Sequence, residues 1–249
     1  DKGYNVTIFD NLSPQVHGEG ESLLFKKIKD KGTFIKGDVR NIEDWRKAIN
    51  GQNIIVHLAA ETGTGQSMYQ MAKYNEVNVL GTAHMLELLT TNNHQVEKII
   101  FGSSRAVYGE GKYYSTKHGF VYPSSRKEED LINKDFNVKC PFSKLDVEPV
   151  ATDEEAKQNP LSIYAITKQQ QEQMIMLMGA TLDIPSVSLR FQNVYGPGQS
   201  LINPYTGILS IFSTRILNGN DIEIYEDGLE SRDFVYIDDV VDAVILALE

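Results

Sequence analysis

With 249 residues, 41% of them hydrophobic and 23% charged, the chain is long enough for one large α/β domain with a small appendage. A formal net charge of −10 argues against a nucleic-acid surface, no apolar run reaches the length of a membrane span, and no signal peptide is visible. The single cysteine, Cys140, excludes an intramolecular disulfide and suits a reducing, cytoplasmic setting.

In chain order, Asp1-Lys2-Gly3-Tyr4 reads as a helix end and turn, and Asn5-Val6-Thr7-Ile8-Phe9-Asp10 as a short buried strand. In a dinucleotide-binding fold, an acid at the tip of the second strand holds the adenosine ribose. The glycine fingerprint belongs about 20 residues ahead of that acid. Only nine residues precede Asp10, and no G-x-G-x-x-G occurs anywhere. The expectation is a chain that begins part-way into such a fold, with a central strand position empty and weak dinucleotide binding.

A second strand is predicted over residues 33–39, with Asn41 as the cap of the following helix. Residues 53–60 are nearly continuous in apolar side chains and predict a buried parallel strand, in which His57 reads as a satisfied core residue. A polar, glycine-rich loop follows, then a long helix over residues 68–89 with Asn78 in its middle. Asparagine is a poor interior helix residue, so its amide either bonds something specific or faces water. Residues 96–104 form the next strand and deliver Ser103 and Ser104 at its carboxyl end, where ligands bind in open α/β sheets. Alternating strands and helices predict a doubly wound parallel sheet.

From 110 to 159 the pattern breaks into an irregular insertion. Within it, Ser115, His118, Cys140 and Ser143 have two-knuckle zinc-ribbon spacing, but serine is not an ordinary zinc ligand. No bound metal is expected. Asn159 and Pro160 predict the start of a helix running to about residue 179. On it, Tyr164 and Lys168 lie four residues apart and share a face. A nearby cation and the helix N-terminus favour the phenolate, which makes a proton-transfer residue of a group whose ordinary pKa is about 10. Spacing alone favours the plainer reading of a packed ring and a solvated lysine. A strand over 186–191, a helix over 208–217, a short strand over 221–225 and a last amphipathic helix from near Asp238 complete the chain.

Taken in order, these motifs resemble the extended short-chain dehydrogenase/reductase family, and its nucleotide-sugar epimerases in particular. The matches are Asp10-Asn11-Leu12, Gly37-Asp38-Val39-Arg40, His57-Leu58-Ala59-Ala60, Asn78-Val79-Leu80-Gly81-Thr82, Ser103-Ser104-Arg105-Ala106-Val107-Tyr108-Gly109, Tyr164-x-x-x-Lys168, Arg190-Phe191-Gln192-Asn193-Val194-Tyr195-Gly196-Pro197 and Arg232-Asp233-Phe234-Val235-Tyr236-Ile237-Asp238-Asp239. Each is weak alone; their order across nearly the whole chain reverses the plainer reading of Tyr164.

The resemblance implies a Rossmann-like NAD-binding domain over residues 1–191 and a partial substrate lobe over 192–249. It implies that Asp10 and Asn11 hold the adenosine ribose, favouring NAD over NADP, and that Asp38 and Val39 contact the adenine. Leu58, Ala59, Ala60, Asn78, Ser103 and Phe191 would line the remaining dinucleotide path. Tyr164 would be the acid/base and Lys168 would bond the nicotinamide ribose while lowering the tyrosine pKa. Ser104 would bond the reacting hydroxyl, and Thr62, Asn193 and Arg232 would hold the substrate, the last two through its diphosphate.

Sugar 4,6-dehydratases carry an acidic pair after the active-site Ser/Thr; here Arg105 and Ala106 stand there. No cysteine near Ser104 matches the fucose-synthase-like branch. The resemblance therefore implies NAD-dependent 4-epimerisation through a transient 4-keto sugar, on a dTDP-6-deoxyhexose (as in the dTDP-L-rhamnose 4-epimerase branch) or a UDP-hexose, in a homodimer paired through the Tyr164 helix. The alternatives are a dehydrogenase, reductase or dehydratase of the same family, or a non-catalytic NAD-binding sensor or scaffold.

Overall fold

The computed structural model describes residues 3–18, 23–91, 94–201, 203, 205 and 207–249; the helix end expected at Asp1-Lys2 lies outside them. Strand β1 (Thr7–Asp10) pairs in parallel with β2 (Thr33–Lys36), with the short helices α1 (Pro14–His17) and α2 (Leu23–Ile28) between them in the chain. Asn41 caps α3 (Ile42–Ile49), its side-chain oxygen accepting from the Glu43 amide at 3.0 Å. Strand β3 (Ile54–His57) follows, then α4 (Thr64–Ser67). The long helix expected over 68–89 is a continuous run of three pieces. These are α5 (Met71–Tyr74), a π-helical turn (Asn75–Leu80) and α6 (Gly81–Thr91). Single π turns inside helices accompany functional sites, and this one contains Asn78.

Strand β4 (Lys98–Ser104) is the centre of a parallel sheet in the order β3-β4-β8, where β8 is Ser186–Phe191. Before β8 come β5 (Tyr113–Ser115), β6 (Gly119–Val121), α7 (Glu128–Ile132), β7 (Glu148–Pro149) and α8 (Ile163–Thr181). After it come β9 (Asn193–Tyr195), α9 (Ile208–Leu217), β10 (Phe234–Tyr236) and α10 (Ile237–Leu248). The β1–β2 and β3–β4–β8 sheets share no strand pairing among the described residues. Side chains join them instead: Gln52 donates to Thr7 Oγ1 at 3.3 Å, and Trp45 packs edge-on against both Phe9 and His57.

The core lies where the apolar face of α3 (Trp45, Ala48, Ile49), the face of α6 (Met85, Leu86, Leu89) and Ile175 of α8 meet Ile99 and Phe101 of β4. Ile99, Ile100 and Phe101 are fully buried, as a central parallel strand covered on both faces requires.

Several expectations change. The insertion is not irregular throughout: β6-β5-β7 form a small antiparallel sheet over Val121, Cys140 and Val147. Its exit, Asn159, donates its amide to Val107 O at 2.9 Å. At the entrance Gly109 has φ +66°, and a Cβ there would fall 2.2 Å from Asn159 O. Only glycine lets the two ends close. Asn159 therefore does not cap α8. Ser162 does, its hydroxyl accepting from the Ala165 amide at 3.1 Å, so that Tyr164 sits in the first turn. No strand forms over 221–225; without a hydrogen-bonded neighbour, Ile224 and Tyr225 stay exposed.

Candidate active site

Strand β4 ends on Ser104 beside the first turn of α8, which carries Tyr164, because β4 and β8 run in parallel and α8 crosses back over them. The Ser104 hydroxyl is near enough to the Tyr164 phenol to favour its ionised form, and both line the same cavity. One turn further along α8, the Lys168 ammonium donates to Gly102 O at 2.8 Å and lies 4.6 Å from the centroid of the Phe101 ring. A Cβ on Gly102 would meet Leu58 Cδ2 at 2.8 Å, so a side chain there would displace the exposed end of Leu58.

These groups open onto a cavity of about 900 Å³ whose lining includes Leu58, Ala60, Thr62, Ser103, Ser104, Tyr164, Lys168, Phe191, Asn193 and Arg232. Ten of the sequence-predicted site residues are thus brought together. Asp10, Asn11, Asp38, Val39, Ala59 and Asn78 do not line it. Asp10 and Asp38 instead form an adjoining group at the ends of β1 and β2, linked by Asn11 Nδ2 to Asp38 Oδ2 at 3.4 Å. Hydrogen bonds from Arg40 hold Asp38 down to about 2 against its partial burial. Val39 and Ala59 pack in or against the core.

Asn78 settles the question its position raised. It is fully buried; its oxygen accepts from the Glu61 amide at 2.8 Å, and its Nδ2 donates to Glu61 O at 3.1 Å and Thr167 Oγ1 at 2.9 Å. With its amide engaged in this way, the side chain positions the 61–64 loop rather than contacting a ligand. Replacing Asn78 with Ala strands these groups and costs about 1–3 kcal/mol for each one left buried without a partner, read as a lower urea midpoint. His57, as expected, is a core residue: its Nε2 lies 2.9 Å from Thr82 Oγ1, and burial lowers its pKa to about 3.

The electrostatics overturn one expectation. The resemblance implies a tyrosine pKa lowered by Lys168. Here burial raises the Tyr164 pKa, and the nearby Ser104 hydroxyl and Arg105 charge oppose that rise without reversing it. Burial also brings Lys168 down to about 7, so at neutral pH it is only a partial cation. Desolvation acts on both charged forms and outweighs their helical proximity.

Spacing did not single out Glu172, although it lies four residues beyond Lys168 on the same helix face. It is buried and accepts from Ser103 Oγ at 2.8 Å, Ser188 Oγ at 3.0 Å and Arg190 Nη2 at 2.6 Å. The Ser103 hydroxyl is therefore engaged behind the cavity. Burial would raise the Glu172 pKa, but Arg190 and the two serines hold it below the ordinary range. The network locks α8 to β4 and β8 and so fixes Tyr164 against Ser104. Arg105, which sequence placed only as a missing acid, lines the cavity with Ala106.

In the insertion, Ser115, Cys140 and Ser143 meet. Burial raises the Cys140 pKa, but the polar groups of Ser143, Phe142 and Ser115 around it bring it down to about 7. Among the described residues no group of three or more His, Cys, Asp or Glu side chains is placed to hold a metal.

Two features suit NAD. Asp10 is exposed at the tip of β1, and its Oδ1 takes the Leu12 amide at 2.6 Å while Oδ2 has no partner among the described residues. Lys168 carries three N–H donors and has one acceptor, Gly102 O, which leaves a buried donor for a ribose hydroxyl. No helix among the described residues is long and apolar enough to cross a membrane.

Comparison with known proteins agrees. The chain is 37% identical over 243 residues to a dTDP-L-rhamnose 4-epimerase of Burkholderia thailandensis, covering 97% of this chain and 65% of that protein. It is 30% identical over 251 residues to a putative UDP-glucose 4-epimerase of Methanocaldococcus jannaschii, covering 100% of this chain and 67% of that one. Among solved structures, a UDP-glucose 4-epimerase of Thermotoga maritima with UDP-glucose superposes with a TM-score of 0.73 at 25% identity, over 99% of this chain and 66% of its own. The chain thus spans about two thirds of the length of the relatives it matches. The profile of the NAD dependent epimerase/dehydratase family matches residues 1–128 and 139–249, and the chain belongs to that family.

Proposed function

We propose that this chain carries the active site of an NAD-dependent nucleotide-sugar 4-epimerase acting on a dTDP-6-deoxyhexose or a UDP-hexose. The observation that carries this reading is that Ser104, Tyr164 and Lys168 line one cavity together with Arg105 and Ala106, which stand where the resemblance puts acids in a dehydratase. When bound, NAD would supply the acceptor for the C4 hydride and would return that hydride to the 4-keto sugar. Asp10 and Asn11 would hold its adenosine ribose, with Asp38 and Val39 at the adenine. Lys168 would hold the nicotinamide ribose, an acceptor that also favours its charged form.

Tyr164 takes the proton of the sugar C4 hydroxyl as C4 is oxidised, and Ser104 orients that hydroxyl. Burial keeps the phenol protonated until positive charge outweighs it, and Arg105 and a fully charged Lys168 are the groups placed to do so. After the 4-keto sugar turns its other face, Tyr164 returns the proton, so the epimeric alcohol forms without net redox change. Arg232 and Asn193, which line the same cavity, would hold the diphosphate, for which a guanidinium is well shaped. Residues 1–191 would serve the cofactor and 192–249 the substrate. The lone cysteine supports a cytoplasmic setting.

A homodimer paired through α8 is part of the same reading. Its support is the exposure of Ile166, Met176 and Leu177 on that helix. Sedimentation of the full-length protein as a dimer, weakened by Leu177→Glu, is the expected result; a monomer at all concentrations removes the dimer.

The full-length protein supplied with NAD is expected to interconvert the C4 epimers of dTDP-L-rhamnose or of UDP-glucose with no net NADH. Absence of C4 interconversion with both sugars overturns the reading, and NADH formed in step with product replaces it with a dehydrogenase.

A further inference from the structure

Among the described residues, the insertion over 110–159 sits outside the cavity lining, yet one of its side chains reaches the cavity wall. Arg126 crosses to the segment ahead of β10. Its Nη1 is bonded to Glu226 Oε2 and lies 3.3 Å from Phe136 O, while its Nη2 donates to Glu230 Oε1 at 3.2 Å. The other oxygen of the same carboxylate, Glu230 Oε2, accepts from Arg232 Nη2 at 3.1 Å. Arg232 also donates to Ser231 O at 2.7 Å. Glu230 is thus shared between two guanidiniums, one in the insertion and one in the substrate cavity. Glu230 and Arg232 both line that cavity.

We propose that Arg126 is a positioning residue of the nucleotide-sugar site: it holds Glu230 so that Arg232 can turn to an anionic diphosphate. This rests on the epimerase reading for the identity of the ligand. A diphosphate must compete with Glu230 for Arg232, because both are anions that seek the same donors. Without Arg126, surrendering Arg232 would leave the Glu230 carboxylate, 39% exposed, with no charged partner, and the exchange would be modestly opposed. With Arg126 present, Glu230 keeps one charged partner throughout. Glu226 in turn fixes Arg126, which is only 21% exposed, and Glu226 is equally shielded. The insertion is thereby part of the substrate site, although it need not touch the ligand.

The test is calorimetric titration of the full-length protein with dTDP and with UDP, neither of which requires turnover. Arg126→Met is expected to weaken binding about two- to fivefold, as loss of one partly exposed ion pair allows, and to raise KM with kcat little changed. Glu230→Gln removes the competitor and is expected to tighten binding by a similar factor. The double variant is expected to bind like Glu230→Gln, and Arg126→Lys to lie near wild type. Unchanged binding in Arg126→Met overturns the proposal. So does a double variant as weak as Arg126→Met, since that shows a loosened wall rather than a released competitor. Weaker binding in Glu230→Gln overturns it without reference to the Arg126 variants. If the wild-type protein binds neither nucleotide, the nucleotide-sugar reading falls and this proposal with it; nucleotide binding indifferent to both substitutions removes only the proposal.

Discussion

Tyr164→Phe is expected to lower epimerisation by roughly 10²–10⁴-fold, the usual worth of a positioned general acid/base. The ring is retained, so its edge-on contact with Tyr74, at 6.3 Å between centroids, survives, and nucleotide binding should be unaffected. The loss is therefore expected in kcat, with KM for the nucleotide sugar little altered. The pH dependence carries a second readout. Because burial raises the Tyr164 pKa above its ordinary value, the fraction able to accept a proton grows as pH rises from neutral. The wild-type rate should increase across that range, and the residual rate of the Phe variant should not. A variant within threefold of wild type, or one that keeps the same pH profile, would remove Tyr164 from the proton-transfer role.

Lys168→Met is expected to abolish most activity and yet stabilise the fold. Lys168 has a folded pKa of about 7 against an ordinary 10.5. Between those values the unfolded chain binds a proton that the folded chain does not, so stability rises with pH over that window. The gain is roughly 1.4 kcal/mol per pH unit at most, and the full penalty is in force below about pH 7. Methionine fills similar volume without a charge to desolvate, so the variant should unfold at higher urea at pH 7, by a few kcal/mol at most, because the Gly102 hydrogen bond and the Phe101 contact already compensate part of the cost. The difference should shrink as pH approaches 10.5. Chemical denaturation at pH 6, 8 and 10 reads this directly. A Met variant less stable than wild type at pH 7 would show that the ammonium is a net stabilising group. Such a result would fit a lysine kept for structure; a stabilised and inactive variant fits one kept for the reaction.

Much of the fold was legible because its signals are local. The apolar run over 53–60, the Asn41 cap and the period of the last helix each act within a few residues, and β3, α3 and α10 formed there. The strand over 221–225 failed because alternation marks a strand only when a neighbour supplies hydrogen bonds, and none does. The start of α8 was misplaced by three residues because Asn159 and Ser162 are both good caps. The choice fell to Ser162 once Asn159 was drawn to Val107 O and Pro123 O by the closing of the insertion. Glu172 escaped notice for a similar reason, since its partners come from β4 and β8 and no spacing within α8 announces them.

The sequence by itself determined the class of fold and the identity of the chemical groups. Ser104 ends a strand and Tyr164 and Lys168 share a helix face, relations that backbone geometry dictates wherever the chain forms those elements. Tertiary structure alone decided how those groups are charged and what holds them. Desolvation depends on everything packed around a site, so the direction of the Tyr164 shift and the depressed Lys168 could not be read from a spacing of four. Likewise the carboxylate shared by Arg126 and Arg232 joins residues about a hundred positions apart in the chain, a relation only the folded molecule creates.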